Sequence, residues 1–453
     1  MSEKKSGTGG RAKKPVAGRS SAKRPVLVRK RPASAGPTAG VEAAVGKVSA
    51  ARLAAFEILK AIGEGKGHSD ELLHSARMEA LSLEDRHLTT ALVMGVLRWQ
   101  IALDARVRGL LQRPEQRLAE PVAIALRMGA FQLLHLDRIP AHAVLSESVE
   151  LCRAAGEPHA TGMVNAVLRK LAAAQRPGAR IHESVAAFAE RLGHPGWLVE
   201  RWVAAYGRDA ALRICEADQK ESAEGGMFSE SGGDMPHMDD GSRLVAELAA
   251  AATPGATRVW DCCAAPGGKT LILARRLGTA AVVATDVSAK RLAQMEARLR
   301  RYGYAERVQF GVADAANAKG EGEFDLILCD VPCSGTGTLA GNPEIRHRLK
   351  VGDLARQVER QKAILAGAFK RLGPGGRLVY STCSLELEEC EQVIEGVAGA
   401  RRVPVEGLMA ELAEQGILLA GVELDSALRK GALRTLPGLH GCDGFFAVVL
   451  ERE

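Results

Sequence analysis

The chain has 453 residues, 46% hydrophobic and 25% charged, with a formal net charge of +7, enough for two or three domains with substantial cores. No apolar stretch reaches the length of a transmembrane helix, and the N-terminus lacks the apolar segment of a secretory signal. Nine scattered cysteines, an odd number, argue against a disulfide framework and for a reducing cytoplasm.

Residues 1–41 hold eleven Lys/Arg against one acid, which gives this segment +10 and leaves −3 for the remainder. The basic character therefore belongs to a Gly/Pro/Ser/Ala-rich tail, expected to be disordered over residues 1–47. It reads either as an arm that neutralises nucleic-acid phosphates or as a solvated extension.

From residue 48 to 175 the apolar residues recur at helical spacing in AARLAAFEILKAI, LTTALVMGVLRWQ, PVAIALRMGAFQLL and GMVNAVLRKLAA, which predicts an all-α domain. Leu126, Phe131 and Leu168 are expected in its core. Arg98, Arg127 and Arg169 are candidates for phosphate contact. Residues 176–241 read as linker helices, GHPGWLVERWVAAYG among them, followed by a short polar connection rich in Gly, Ser and Met.

Residues 242–453 alternate short apolar runs with amphipathic ones, the pattern of an α/β sheet. The string VWDCCAAPGGKT before LILARRL reads as strand, glycine-rich turn and helix. Its glycines and lysine match neither a dinucleotide fingerprint nor a Walker loop, and a plain strand-to-helix turn would look the same. The next strand, AVVAT, ends at Asp286, about twenty residues past the turn, where an acid accepts hydrogen bonds from ribose hydroxyls. RVQFGVAD brings Asp314 and the run Phe324–Cys329 brings Asp330 to the same edge. Each acid alone would serve as a helix cap; together they indicate an adenosine-containing cofactor.

Two cysteines complete the edge. Cys333 in LCDVPCSGTGTL and Cys383 in VYSTCSLE each follow a strand, and strand ends are where open α/β sheets bind ligands. Carbon 5 of cytosine is too weak a nucleophile to take a methyl group unaided. A thiolate adding to carbon 6 makes the ring an enamine that can attack, and a second group then helps to remove the thiolate. Adjacent Cys262 and Cys263 lack the spacing of a zinc site, and no metal is expected.

In their order, DCCAAPGGKT, the Asp286 strand end, Asp314, DVPCSGTG, YSTCS and the final DGFF resemble the Sun/Fmu-type RNA cytosine carbon-5 methyltransferases over roughly residues 238–453. In the front half, EDRHL, GVLRW, ALRMGAFQLLHLDRIPAHAVLSESVEL and GMVNAVLRKL resemble the NusB-like domain fused to small-subunit rRNA methyltransferases of the RsmB type. The resemblance implies an all-α NusB-like domain followed by a class I Rossmann-like methyltransferase domain with an antiparallel last strand. It also implies S-adenosylmethionine, held by Cys263, Ala264, Ala265, Pro266, Gly267, Gly268 and Lys269 with Asp286, Asp314 and Asp330. Cys383 would be the nucleophile and Cys333 would assist its release, with Asp330 and Lys269 near both cofactor and base.

Two positions depart from the family pattern: Val331 stands where alanine is usual, and Cys390 where an asparagine follows STCS. The connection over 216–241 is too short for the small RNA-recognition lobe that related enzymes carry there. The expected substrate is RNA, small-subunit rRNA first, with tRNA or large-subunit rRNA as the alternative and a non-catalytic assembly factor as the different class. A cytoplasmic monomer that binds no membrane is expected.

Overall fold

The computed structural model describes residues 48–174, 183–221, 226–229 and 235–453; the basic tail expected over 1–47 lies outside them. The first helix, α1 (Ala50–Gly63), follows from spacing, since Ala51, Ala54, Ala55, Ile58, Leu59 and Ile62 recur every three or four residues and all are buried. Helix α2 (Leu83–Arg108) opens at Ser82, whose hydroxyl accepts the Asp85 amide at 3.1 Å and so satisfies one of the free N–H groups of the first turn. Helices α3 (Glu120–His135), α4 (Ala141–Ala154) and α5 (Thr161–Ala173) complete the bundle. Leu126, Phe131 and Leu168 lie in its core as expected. Gly95 lets α2 meet α3, because a Cβ there would lie 1.9 Å from the Phe131 ring.

Helices α6 (Val185–Arg191), α7 (Gly196–Tyr206) and α8 (Arg208–Ala217) lead to α9 (Asp240–Ala252) and the sheet. Its elements are β1 (Arg258–Asp261), α10 (Gly268–Arg276), β2 (Ala281–Asp286), α11 (Ala289–Arg301), β3 (Val308–Val312), β4 (Phe324–Asp330), α12 (Val351–Arg371), β5 (Leu372–Thr382), β6 (Ala400–Val403), β7 (Leu428–Arg429), β8 (Ala432–Arg434) and β9 (Phe446–Arg452). The order is β3-β2-β1-β4-β5-β9-β8-β7, with β6 also paired to β9. Strands β3 to β5 of this order run parallel, and β9 is antiparallel to β5. The antiparallel last strand of a Rossmann-like domain, expected from the resemblance, is therefore present.

Strand β4 shows why the sheet is covered on both faces. Successive side chains of a strand point to opposite sides; Leu326 and Leu328 join one buried cluster, Ile327 and Cys329 another. The chain order reverses between β1 and β4, and the carboxyl ends of strands at such a reversal form a ligand crevice. Among the described residues no helix is long and apolar enough to cross a membrane.

The segment Glu344–Arg348 is gripped by the helical bundle. Glu344 accepts from the Ser69 amide at 3.0 Å and hydroxyl at 2.9 Å, and Arg348 donates to the carbonyls of Ile62 and Gly67. Arg98 belongs to the same seam. It is buried, and its Nε and Nη2 donate to the Ala340 carbonyl at 3.1 and 2.8 Å, so the expectation of a phosphate contact there is corrected. Arg127 is corrected too, since Asp104 and Glu120 engage its half-hidden guanidinium. Arg169 remains exposed.

Two histidines make the seam acid-sensitive. Burial lowers the pKa of His194, and burial together with the charge of Arg346 lowers that of His347 to about 4. The unfolded chain binds protons near pH 6.5 that the folded chain refuses, so stability is expected to fall as pH drops from about 6.5 towards 4, by roughly 3 kcal/mol for His347 alone. His347→Gln, which can still donate to the Leu97 carbonyl that His347 Nε2 meets at 2.7 Å, should lose less between pH 7.5 and 4.5 in urea titrations. Equal losses in the two proteins would refute the assignment.

Candidate active site

A cavity of about 190 Å³ lies at the carboxyl ends of β1, β2, β4 and β5 and beyond the end of β3. It is lined by Cys262, Cys263 and Ala265 after β1, Asp286 at the end of β2 and Val287 beyond it, Asp314, Asp330 to Cys333, Cys383, and Arg360 and Ile364 of α12. The strands converge there because their parallel registers align, with Asp261 opposite Leu328 and Asp330 opposite Ser381.

The two thiols meet on its wall. Cys333 Sγ lies 3.3 Å from Cys383 Sγ, both free and half-buried. Their loops are laced by backbone: the Gly337 amide donates to the Cys383 carbonyl at 2.9 Å, and the Gly444 amide to the Gly337 carbonyl at 2.8 Å. A Cβ on Gly337 would come within 2.1 Å of the Gly444 oxygen and 2.9 Å of the Cys383 oxygen. The second glycine of SGTG thus serves this close approach. The hydrogen bond with Cys383, burial and nearby negative charge push the Cys333 thiol well up, so Cys333 carries a proton it can share with Cys383.

Lys269 Nζ lies 2.7 Å from Asp330 Oδ2 and above the Phe445 ring. Burial opposes its charge, but Asp330 outweighs burial and raises its pKa. Asp330 Oδ1 accepts from Ser381 at 2.6 Å, which fixes the carboxylate at the cavity edge. Behind it, burial raises Asp261 to about 7; Oδ2 takes the Thr270 hydroxyl at 2.6 Å and Oδ1 has no partner among the described residues.

Asp286 Oδ1 accepts from the Ser288 amide at 2.8 Å and Arg291 at 2.7 Å, while Oδ2 accepts no hydrogen bond among the described residues. Asp314 differs. Both its oxygens cap the following turn, through the Ala316 amide and the Asn317 side chain, although it also borders the cavity. Of the glycine-rich segment, Cys263 and Ala265 line the cavity, whereas Ala264 packs in the core. Gly267 is required by its φ of 95° and by the 2.5 Å that would separate a Cβ from Met295. The carboxylate acceptors and the apolar wall of Ala265, Val287 and Ile364 suit a ligand that pairs ribose hydroxyls with a cationic, partly apolar end. Among the described residues no group of three or more His, Cys, Asp or Glu is arranged to hold a metal ion.

Residues 250–451 match the family described as 16S rRNA methyltransferase RsmB/F, and residues 49–173 match the NusB family. Ribosomal RNA small subunit methyltransferase B of Xanthomonas campestris is 32% identical over 88% of this chain and 97% of that protein. The chain belongs to the RsmB/F family. The probable ribosomal RNA small subunit methyltransferase B of Bacillus subtilis is 30% identical over 90% of this chain and all of that protein. The solved structure of PH0851, 21% identical, shares the fold with a TM-score of 0.64 over 92% of this chain and 99% of that one.

Within this RsmB/F chain the two departures noted in sequence have different fates. Val331 is buried beside the cavity. Cys390 is fully buried, donates to the Ser384 carbonyl at 3.5 Å and is pushed up to about 12 by burial, so this third thiol packs behind the site and does not line the cavity. Sequence reasoning missed Asp261, Ser381, Arg360 and Glu389. The first two sit inside strings already singled out, and attention to strand-end polar residues would have found them.

Proposed function

We propose that this protein transfers a methyl group from S-adenosylmethionine to carbon 5 of a cytosine in small-subunit (16S) rRNA through a covalent adduct on Cys383. The 3.3 Å separation of the two thiols at the cavity wall carries this reading, because a covalent route needs one sulfur to add and a second group at the same place to help it leave. Bound in the cavity, the cofactor supplies the electrophilic methyl group. Cys383 adds to carbon 6, and the electron pair moves to carbon 5, which takes the methyl. The carbon 5 proton passes to a base at the cavity edge, Asp330 or water, and its electron pair returns to the ring as the carbon 6–sulfur bond breaks and Cys383 leaves as thiolate. Asp330, on the cavity wall, holds Lys269 at 2.7 Å, and both are read as neighbours of cofactor and base.

An open groove of about 480 Å³ runs from Cys333 and Ser334 past Arg360, Arg356 and Arg348 to His68 of the helical bundle. It supports entry of a strand whose target base is unstacked, as chemistry on a ring face requires. The protein is read as a cytoplasmic monomer. Bisulfite sequencing of RNA from cells with and without it should show one 5-methylcytosine lost from 16S rRNA. Loss from tRNA or large-subunit rRNA instead would overturn the substrate, and no loss at all would overturn the reaction.

The cofactor reading separates two acids. Asp286→Ala is expected to weaken S-adenosylmethionine binding by about 1.5–3 kcal/mol, the range for a lost hydrogen bond to a charged group. Asp314→Ala should cost less, since its oxygens already cap a turn. Calorimetry giving Asp286→Ala the wild-type affinity would remove the ribose assignment.

A further inference from the structure

Glu389 is a fully buried acid outside the cavity lining, next to Cys390 in the acidic run after STCS, and it touches both cysteine loops. Its Oε1 accepts from the Ser334 amide and from Gln361 Nε2, each at 2.9 Å. Its Oε2 accepts from the Ser384 hydroxyl at 2.6 Å and from the Ser334 hydroxyl. Gln361 also donates to the Pro332 carbonyl at 3.0 Å, so both flanks of Cys333 and the residue after Cys383 hang on one carboxylate. Tyr380 holds the Glu389 backbone through its hydroxyl at 2.7 Å.

We propose that Glu389 is a positioning residue of the two-thiol site: its carboxylate fastens the Cys333 loop to the Cys383 loop, and its charge keeps the shared proton on Cys333, leaving Cys383 as the nucleophile. The inference rests on reading the pair as catalytic. The carboxylate meets the Cys333 loop through the Ser334 amide, the Ser334 hydroxyl and, by way of Gln361, Pro332, but the Cys383 loop through the Ser384 hydroxyl alone, and a negative charge disfavours a second one at the group it holds more closely. The charge of Glu389 is indeed among the causes that raise the Cys333 thiol, after the Cys383 hydrogen bond and burial. The other charged groups facing the pair are Lys269, paired with Asp330, and Arg360 of α12, which lines the cavities on both sides of Cys333. Lys269 feels the charge of Cys383, so a positive group faces Cys383 while Glu389 holds the Cys333 loop.

Glu389→Gln separates the two duties. Glutamine can accept the two N–H donors and donate to the two serine hydroxyls, so the loops stay tied while the charge is gone. Glu389→Ala loses both. Alkylation by iodoacetamide, mapped by mass spectrometry across pH, should favour Cys383 over Cys333 in the wild type, and Glu389→Gln should shrink that preference about tenfold, the effect of a one-unit change in relative acidity. On a 16S rRNA transcript the same variant should lose at least about tenfold in kcat, with KM and cofactor affinity within about twofold, as for an interaction that matters only in the reacting state. Its thermal midpoint should match the wild type, and that of Glu389→Ala should fall. Wild-type alkylation preference and kcat in Glu389→Gln would overturn the proposal, as would a loss of kcat only in proportion to stability. A wild-type protein that methylates no RNA but shows the alkylation shift would overturn the functional reading while supporting the proton bias.

Discussion

Cys383→Ala is expected to abolish both methylated product and any covalent protein–RNA species, whereas Cys333→Ala should accumulate the covalent species. The asymmetry follows from the step each sulfur serves. Cys383 must add before carbon 5 can react, so without it turnover should fall by at least roughly a thousandfold, as when a nucleophile that works in concert with its partners is removed. Cys333 is in contact with Cys383 at 3.3 Å and acts after methyl transfer, when the carbon 6–sulfur bond must break. Removing it leaves addition intact and slows elimination. A denaturing gel with labelled RNA reads the difference as a slow-migrating band in Cys333→Ala alone. A band in Cys383→Ala instead would reverse the roles, and unchanged product in both would make the thiols structural.

The parts of this site that were legible in sequence are those carried by strand ends. A strand followed by an unusual polar string identifies itself, and parallel strands then deliver their ends to one edge, so Asp286, Asp330, Cys333 and Cys383 were found together before their distances were known. The antiparallel last strand was legible through DGFF, whose Phe445 ring lies beneath Lys269. Arg98 was misread because an arginine on a helical stripe looks solvated until the partner surface is known, and its acceptor, the Ala340 carbonyl, lies 242 residues away. Glu389 was overlooked for the same reason: in an acidic run after STCS it looks like surface charge, and only the fold brings Ser334 and Gln361 to it. A buried charge is defined by its partners, which sequence distance hides, whereas a strand end is defined locally.

The second large effect is expected at such a hidden charge. Arg346 is 2% exposed, and its guanidinium donates to four carbonyls drawn from three parts of the chain: Arg98 at 3.1 Å, Gly193 at 3.3 Å, Asp218 at 3.3 Å and Leu339 at 3.2 Å. Burial lowers its pKa to about 10, against the opposing charge of Asp218. Arg346→Met would leave those carbonyls short of a donor and remove a buried positive charge that the fully buried Asp218 balances at a distance. Leaving a buried acceptor unsatisfied costs about 1–3 kcal/mol, so with several affected at once urea unfolding should show a loss of at least about 3 kcal/mol. If charge imbalance is the cause, Arg346→Met with Asp218→Asn should be less destabilised than the sum of the single variants, because residues in one network are not additive. A loss below about 1 kcal/mol, the scale of an exposed pair, would mean that the seam does not depend on this side chain. Methyl transfer should fall along with stability, since the run from Ser334 to Arg346 connects the Cys333 loop to the helical bundle without a break, and a seam that loosens there frees the loop that carries the second thiol.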